Sequence, residues 1–543
     1  MNLKLRSLAV LLATVVGSGS SAVALEKFTS SSDAAAEAEQ ASREMSARID
    51  ALLEAEWAAQ KVEPAAPAED VEFLRRAHLD LTGVIPRASE VREFLADERP
   101  DKRQQLVDRL LGSPRYATHM ATTWRNRILP TDVDPSRARQ AVALQKWLRT
   151  RFAKNLRYDN LVGGLLLTGG GDELGPALYY QAHDVAPEKI AASAAELFLG
   201  VKLQCAQCHD HPYADWSQRE FWSFAAFFAR TKPSDAGGMM RTAYRLIDTD
   251  EGDVKLPESE EVVPPKYPRG DAADSDSTTR RSQLVLWMTS RDNEFFSRAA
   301  VNWAWSHMFG LPLVDTLDDA DPARSRLSAS PPTNVQILNE LADHFVHSGH
   351  DLQQLWRTLA NTRAYQLSSR HDDPESASPR RFARMLPKPL TPEQLFDSFV
   401  LLAPSVTGAA APTTAAINAS ASSLDEDPTR MEFVRRMRPP PGETTEYRAG
   451  TLQALMLMNG RATTGVTGPD QSSFLGALSA PFMNDDDRIE ALFLATLSRE
   501  PDKDERAMFA DALAQCKTPE EHADALSDMF WALLNSTEFA FNH

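Results

Sequence analysis

At 543 residues the chain is long enough for about three or four ordinary domains or two large ones, so size does not limit the cores it can bury. Its 58 basic and 76 acidic side chains leave a formal net charge of −18, which argues against nucleic acid and anionic membrane surfaces as partners.

The first 24 residues read as a secretory signal. Lys4 and Arg6 lead, the apolar run Leu8 to Val16 follows, and Ala22-Val23-Ala24 is a small-x-small cleavage site. The residue after it is not cysteine, so no lipid anchor is expected, and no later apolar run approaches the roughly 20 residues needed to span a bilayer. The product is therefore expected to be exported, periplasmic or extracellular, without a transmembrane anchor. Residues 25–68 read as a flexible leader with one helix, spaced by Ile49, Leu52, Leu53 and Trp57, and a Pro-Ala linker from Val62 to Ala68.

A set of short helices follows from Phe73 to Trp124. Gly83 and Pro86 stop the first, Ser89 starts the second, Pro100-Asp101 the third and Ser113-Pro114 the fourth. Arg75, Arg76, His78 and Asp80 suit a solvated face or buried ion pairs better than catalysis. The helical pattern repeats over 144–168 and ends in Gly169-Gly170-Gly171, a turn rather than a phosphate loop because no Lys-Ser or Lys-Thr follows.

Pro187 opens a helix over Glu188 to Leu199, and Gly200 ends it just before QCAQCHDHPY. The spacing Cys205-x-x-Cys208-His209 is the attachment pattern of a c-type haem: two thiols about one turn apart can form thioethers with the haem vinyl groups, and the adjacent imidazole can reach the iron as proximal ligand. The chain has three cysteines in all, so a chance pair followed by histidine is improbable. His211, His183, Met239 and Met240 are candidate further ligands. Two other chemistries suit the same residues: a zinc site with Cys205, Cys208 and His209 or His211, and a disulfide or redox dithiol. Export agrees with covalent haem attachment and equally permits a disulfide. Trp216, Phe221, Trp222, Phe224, Phe227 and Phe228, just downstream, could pack a haem edge but at helical spacing read first as core.

Residues 231–280 turn acidic and proline-containing and read as a long loop, with a short strand over Tyr244 to Ile247. From Arg281 helices resume. His344, His347 and His350 mark a helix end rather than a metal site, since no carboxylate stands at a recognised ligand interval. Ala409 to Ser423 reads as a low-complexity arm. Helices return over Tyr447–Asn459, Asp487–Ser498 and Asp504–Ala514, and Cys516 is expected to be a buried lone thiol.

With these segments in view the chain resembles a large secreted planctomycete family that joins a cytochrome-type (PSCyt) domain to a planctomycete-specific (PSD) domain, both of unknown function. LDLTGVIP at Leu79 to Pro86, LVDRLLGSPRYATHMATTW at Leu106 to Trp124 and the stretch Leu199 to Phe228 carry the first domain. Asn302 to Asp319, Leu341 to Ser369, Leu390 to Asp397 and the C-terminal WALLNSTEFAFNH carry the second. The resemblance implies haem attachment on Cys205, Cys208 and His209, and no reaction. Some relatives add a separate cytochrome c domain; no second CxxCH occurs in this sequence.

The expected fold is mainly α: two irregular multi-helix domains, 69–230 and 281–543, joined by the acidic 231–280 loop in which a short hairpin could form. The leading functional reading is an exported haem c protein that transfers electrons or serves a redox enzyme, with a redox partner protein. The alternative is a non-redox binding or scaffold protein in which CAQCHDHP forms a zinc site or a disulfide staple. A hydrolase of polysaccharide or sulfated material rests only on export, acidity and pairs such as Asp318 and Asp319, which usually cap a helix or sit in a solvated turn.

Overall fold

The computed structural model describes residues 18–130, 137–169, 174–234, 245–274, 278–317, 332–373, 378–403, 427–438, 451–469 and 472–543. The apolar run of the leader, Gly170 and Gly171, Met239, Met240, Asp318, Asp319 and the 409–423 arm lie outside these residues.

The chain is mainly α, as its periodicity predicts. The helices are α1 (Ser18–Gln60), α2 (Asp70–Thr82), α3 (Ala88–Ala96), α4 (Lys102–Leu111), α5 (Pro114–Ile128), α6 (Ala138–Ala153), α7 (Tyr158–Leu166), α8 (Leu174–Ala182) and α9 (Pro187–Ala194). After the cysteine motif come α10 (Gln218–Ala225), α11 (Arg280–Met288), α12 (Glu294–Phe309), α13 (Pro332–His347), α14 (Leu352–Ala360) and α15 (Pro392–Leu402). The last group is α16 (Pro428–Met437), α17 (Thr451–Asn459), α18 (Arg461–Thr467), α19 (Ser473–Leu478), α20 (Asp485–Thr496), α21 (Lys503–Ala514), α22 (Pro519–Leu534) and α23 (Thr537–Ala540). Strands are confined to two-stranded antiparallel ladders: β1 (Thr231–Pro233) with β2 (Leu246–Asp248), β3 (Val254–Lys255) with β4 (Val262–Val263), and β5 (Lys388–Pro389) with β6 (Phe541–Asn542). Two of these lie in the acidic segment, where the sequence allowed a hairpin.

Local chemistry sets the helix ends. Ser113 caps α5 by accepting from the Tyr116 N–H, with Pro114 at the first helical position. Ser217 and Glu220 form a capping box on α10.

The expected leader is helical instead. One helix, α1, runs from Ser18 to Gln60, because Ala- and Glu-rich sequence has high helix propensity even without an apolar period. It is held from Ser42 onward: Ser42 and Ser46 are buried, and Ser46 Oγ donates to the Thr358 carbonyl at 2.7 Å. The Pro-Ala segment after it is pinned as well, through Ala65 N–H to the Ala383 carbonyl and Ala68 N–H to the Gln366 carbonyl.

One apolar core takes side chains from Ile49 through Met385, so Phe73, Trp124, Phe198 and Phe224 share it with Trp305, Phe345 and Trp356. A second core runs from Leu390 to Phe539 and receives Leu79 and Ile85 from the end of α2 and the turn after it. The end of α2 therefore joins the two cores. Its charged residues are buried: Arg75 donates to the Thr496 and Phe539 carbonyls, and Arg76 donates to the Tyr365 and Leu367 carbonyls and pairs with Glu72. Of the two sequence readings for Arg75, Arg76, His78 and Asp80, the solvated face is excluded.

Two smaller expectations meet different outcomes. The His344–His347–His350 run is a helix end: α13 stops at His347, and the three rings bond separate partners, Thr358 Oγ1, the Asp343 carbonyl and Ser297 Oγ. Cys516 is not a buried thiol; it stands half-exposed just past α21, with Sγ 3.5 Å from the Ala512 carbonyl.

Candidate functional site

The cysteine motif is built by a helix that is stopped and turned. Helix α9 widens into one π-helical turn over Ala195–Leu199, a distortion frequent at functional sites. Gly200 then ends it at φ +66°, where an added Cβ would lie 2.9 Å from Leu317 Cγ. That close approach lets the Gly200 carbonyl accept from Leu317 N–H at 3.1 Å, fastening the approach to the motif onto the segment after α12.

The motif itself is a 3₁₀ turn, Leu203–Gln207. In 3₁₀ geometry residues three apart eclipse one another. Leu203 and Ala206 accordingly face the core, while Cys205 and Cys208 both face solvent. Their sulfurs are free and not bonded to each other.

The first five residues of α10 clamp this loop. Trp222 Nε1 donates to the Gln207 carbonyl at 3.1 Å, Gln218 Nε2 donates to the Cys208 carbonyl at 2.8 Å, and the Gln218 N–H donates to Asp210 Oδ1 at 2.8 Å. Behind it, Trp216, Phe221, Phe224, Phe227 and Phe228 are buried in the core, which is the structural reading of that aromatic run.

The two motif histidines differ in the lone pair they offer. His209 Nδ1 lies 2.7 Å from the Asp210 carbonyl, so the proton belongs on Nδ1 and the exposed ring offers Nε2 as an acceptor. A backbone carbonyl holding Nδ1–H is the usual companion of an Nε2 metal ligand. His211 is the reverse: its Nδ1 accepts from the Ala214 N–H at 2.9 Å and the Tyr213 N–H at 3.2 Å, which leaves the proton on Nε2. His211 ties the turn, and His209 is the ring free to bind. Among the described residues no three His, Cys, Asp or Glu side chains converge as metal ligands, so Cys205, Cys208, His209 and His211 are not gathered into a tetrahedral zinc set.

A cleft of about 930 Å³ opens beside the motif, and Gln204 and Gln207 form part of its wall. Across it stand Trp303, with the Arg127 guanidinium 4.8 Å over its ring, and His183. His183 Nδ1 lies 2.8 Å from the Tyr179 carbonyl, so it too keeps Nε2 as the acceptor, and burial pushes its pKa below the usual histidine value. The wall mixes apolar groups such as Leu129, Leu197 and Ala299 with charged ones, at the upper end of the size range of ligand sites.

Two family models match the sequence, each described as a protein of unknown function: DUF1549 (PSCyt2) over residues 48–233 and DUF1553 (PSD1) over residues 280–513. The chain belongs to this two-domain family. No curated protein and no solved structure matches it. The cysteine motif lies in the PSCyt2 segment, yet the apolar core beneath it draws on both segments.

A second group of polar side chains, which the sequence did not single out, lies where the PSCyt2 and PSD1 segments meet. Asp80 is buried; its Oδ1 accepts from Lys388 Nζ at 2.6 Å and from Asn542 Nδ2 at 2.8 Å, and its Oδ2 from the Tyr365 hydroxyl at 2.9 Å. Lys388 also donates to the carbonyls of His307 and Met308 that end α12, and burial lowers its pKa against the pull of Asp80. Around this hub a cavity of about 240 Å³ is lined by α5, α15 and the end of α2. Its signal in the sequence is a polar stripe, Arg115, Thr118, His119, Thr122 and Asn126, at i, i+3, i+4, i+7 and i+11 on α5.

Proposed function

We propose that the protein is exported and carries a c-type haem bound through thioethers to Cys205 and Cys208, with His209 as an iron ligand, in an electron-transfer or other redox role. The observation that carries the reading is the donor set: two free, exposed thiols, one on a 3₁₀ turn and one just past its end, followed by an imidazole whose Nδ1 is engaged by a carbonyl and whose Nε2 is available. The residues present therefore fit the group. When bound, the haem would supply one-electron chemistry.

The chain's own residues would do three things. Cys205 and Cys208 would tether the group at the rim of the cleft. The carbonyl of Asp210 would hold the His209 ring and raise its basicity. Gln218 and Trp222 would keep the tethering turn from opening, through their bonds to Cys208 and Gln207. His183, on the wall of the same cleft with Nε2 uncommitted, is the described candidate for a further ligand. The leader with Lys4, Arg6, the apolar run and Ala22-Val23-Ala24 supports delivery to the compartment where such attachment is completed, and a separate redox protein is the partner this role requires.

The test is a haem-stained denaturing gel and a reduced pyridine spectrum on protein exported from a host that attaches haem c. A retained band and c-type spectrum, both lost in Cys205→Ala, are expected. A colourless protein from that host would overturn the reading and transfer the motif to zinc or thiol chemistry, which metal analysis and thiol counting would separate.

A further inference from the structure

The cavity between the PSCyt2 and PSD1 segments has an unbalanced set of polar groups. Three carboxylates line it, and each already has its cation: Asp80 has Lys388 at 2.6 Å, Asp397 has Arg430 at 2.7 Å, and Glu393 has Arg438 at 3.3 Å and Arg125 at 3.7 Å. Arg115 also lines the cavity, and among the described residues no hydrogen bond or ion pair reaches it. Its main attractive charge is Asp397, which Arg430 holds with two bonds of 2.7 and 2.9 Å. The cavity therefore carries one surplus guanidinium, a fork suited to a carboxylate.

Two buried polar atoms are left over as well. His119 Nε2 and Asn542 Oδ1 are buried without a partner, and both residues line the cavity. His119 Nε2 is a buried ring nitrogen that a hydroxyl can serve, as donor or as acceptor, whichever ring nitrogen carries the proton. Burial and the neighbouring His307 hold the ring neutral, with a pKa near 3. A buried unpartnered polar atom is costly and marks a position where a hydrogen-bonding group belongs. The group is a hydroxyl, which can donate to Asn542 Oδ1 and either donate to or accept from His119 Nε2, rather than an ammonium, because Lys388 and Arg430 already line the same space. At about 240 Å³ the cavity falls below the roughly 300–1,000 Å³ of drug-sized sites, so the ligand is a small metabolite.

We propose that this cavity binds a small hydroxylated carboxylate, its carboxylate on Arg115 and its hydroxyls on His119 Nε2 and Asn542 Oδ1. The site exists only where both segments pack together, since Arg115 and His119 come from one and Glu393 and Asp397 from the other. It makes no use of the cysteine motif.

The experiment is titration calorimetry on the full mature chain with L-lactate, D-gluconate and D-glucuronate. Lactamide, sorbitol and glucose serve as the uncharged counterparts, and L-alanine as the ammonium counterpart of lactate. At least one acid is expected to bind at least tenfold more tightly than its uncharged counterpart, and alanine no better than lactamide. Arg115→Gln is expected to lose that preference and Arg115→Lys to keep part of it, with thermal unfolding unchanged in both because Arg115 has no partner to lose. His119→Phe is expected to weaken the acid at least tenfold; should it unfold, the alanine comparison still tests the hydroxyl position. Binding is expected to persist in Cys205→Ala, which separates this site from haem attachment. The proposal is overturned if none of the three acids binds, if the uncharged or ammonium counterparts bind as well, or if Arg115→Gln binds the acids unchanged.

Discussion

The turn that carries Cys205, Cys208 and His209 and the cavity around Asp80 place polar chemistry in a helical protein in opposite ways. The turn exposes its reactive groups and spends its backbone bonds on holding them still, through Gln218, Trp222 and Asp210. The cavity buries its groups and satisfies nearly all of them with one another, from Tyr365, Lys388 and Asn542 on Asp80 to Arg430 on Asp397. An exposed group costs the fold little when removed, whereas a buried network fails at any member. Stability should therefore separate the two regions sharply.

The largest expected effect is at the hub. Asp80→Ala leaves the Tyr365 hydroxyl and Asn542 Nδ2 without their acceptor and the Lys388 ammonium without its counter-charge inside the protein. Breaking a buried pair in this way costs roughly 3–5 kcal/mol, to be read as a lowered denaturant midpoint with an unchanged slope. A loss under about 1 kcal/mol would mean that water already reaches the network.

Acid should strike the same region next. Burial lowers the pKa of His78 to about 4 and of His119 to about 3. The sign follows from proton uptake: below about pH 6.5 the unfolded chain protonates these rings and the folded chain does not, so stability falls as pH falls from 6.5 towards 4. At pH 5 each ring accounts for a loss of about 2 kcal/mol. Asp50, raised to about 6 by burial, works the other way and offsets about 1 kcal/mol of it. Urea unfolding at pH 7 and pH 5 would show the net loss, and His119→Phe, if folded, should flatten it. A stability unchanged across that interval would place both rings in water.

Much of this contrast could not be seen in the chain alone. The helical class, the start of α5 at Ser113-Pro114, the stop at Gly200 and the cysteine motif are local patterns, and the structure has them where the periodicity and capping residues put them. The buried hub is not local: the partners of Asp80 stand 285, 308 and 462 residues away. A run of Arg, Arg, His and Asp gives no sign of such partners. The polar stripe of α5 was open to view, but such a stripe reads as a solvent face until another helix covers it, and here α15 does. The leader misled for the opposite reason, since α1 needs propensity rather than an apolar period along its first half.

Gly83 tests the cavity wall at a smaller scale. It ends α2 at φ +71°, and an added Cβ would lie 2.3 Å from His119 Nδ1. Gly83→Ala must strain the backbone and displace the ring, at about 1–3 kcal/mol. A Tm shift without altered acid sensitivity would mean that the backbone strains while His119 stays in place.

The smallest effect on folding is expected at the motif. Cys205 is exposed, unbonded, and on a turn whose anchors are Leu203, Ala206 and the carbonyl bonds of Gln207 and Cys208. None of those contacts uses its sulfur. In protein made without haem attachment, Cys205→Ser should therefore change unfolding free energy by no more than about 0.5 kcal/mol, the usual span of surface substitutions. In protein from a haem-attaching host the same change should leave wild type more stable than the variant, because an apolar group held covalently makes its packing contacts in the cleft only in the folded chain. The comparison of the two hosts is thus sharper than either measurement alone. Equal stability of wild type in both, with haem attached in one, would place the group outside the cleft; a large loss in the haem-free variant would make the motif part of the fold in its own right.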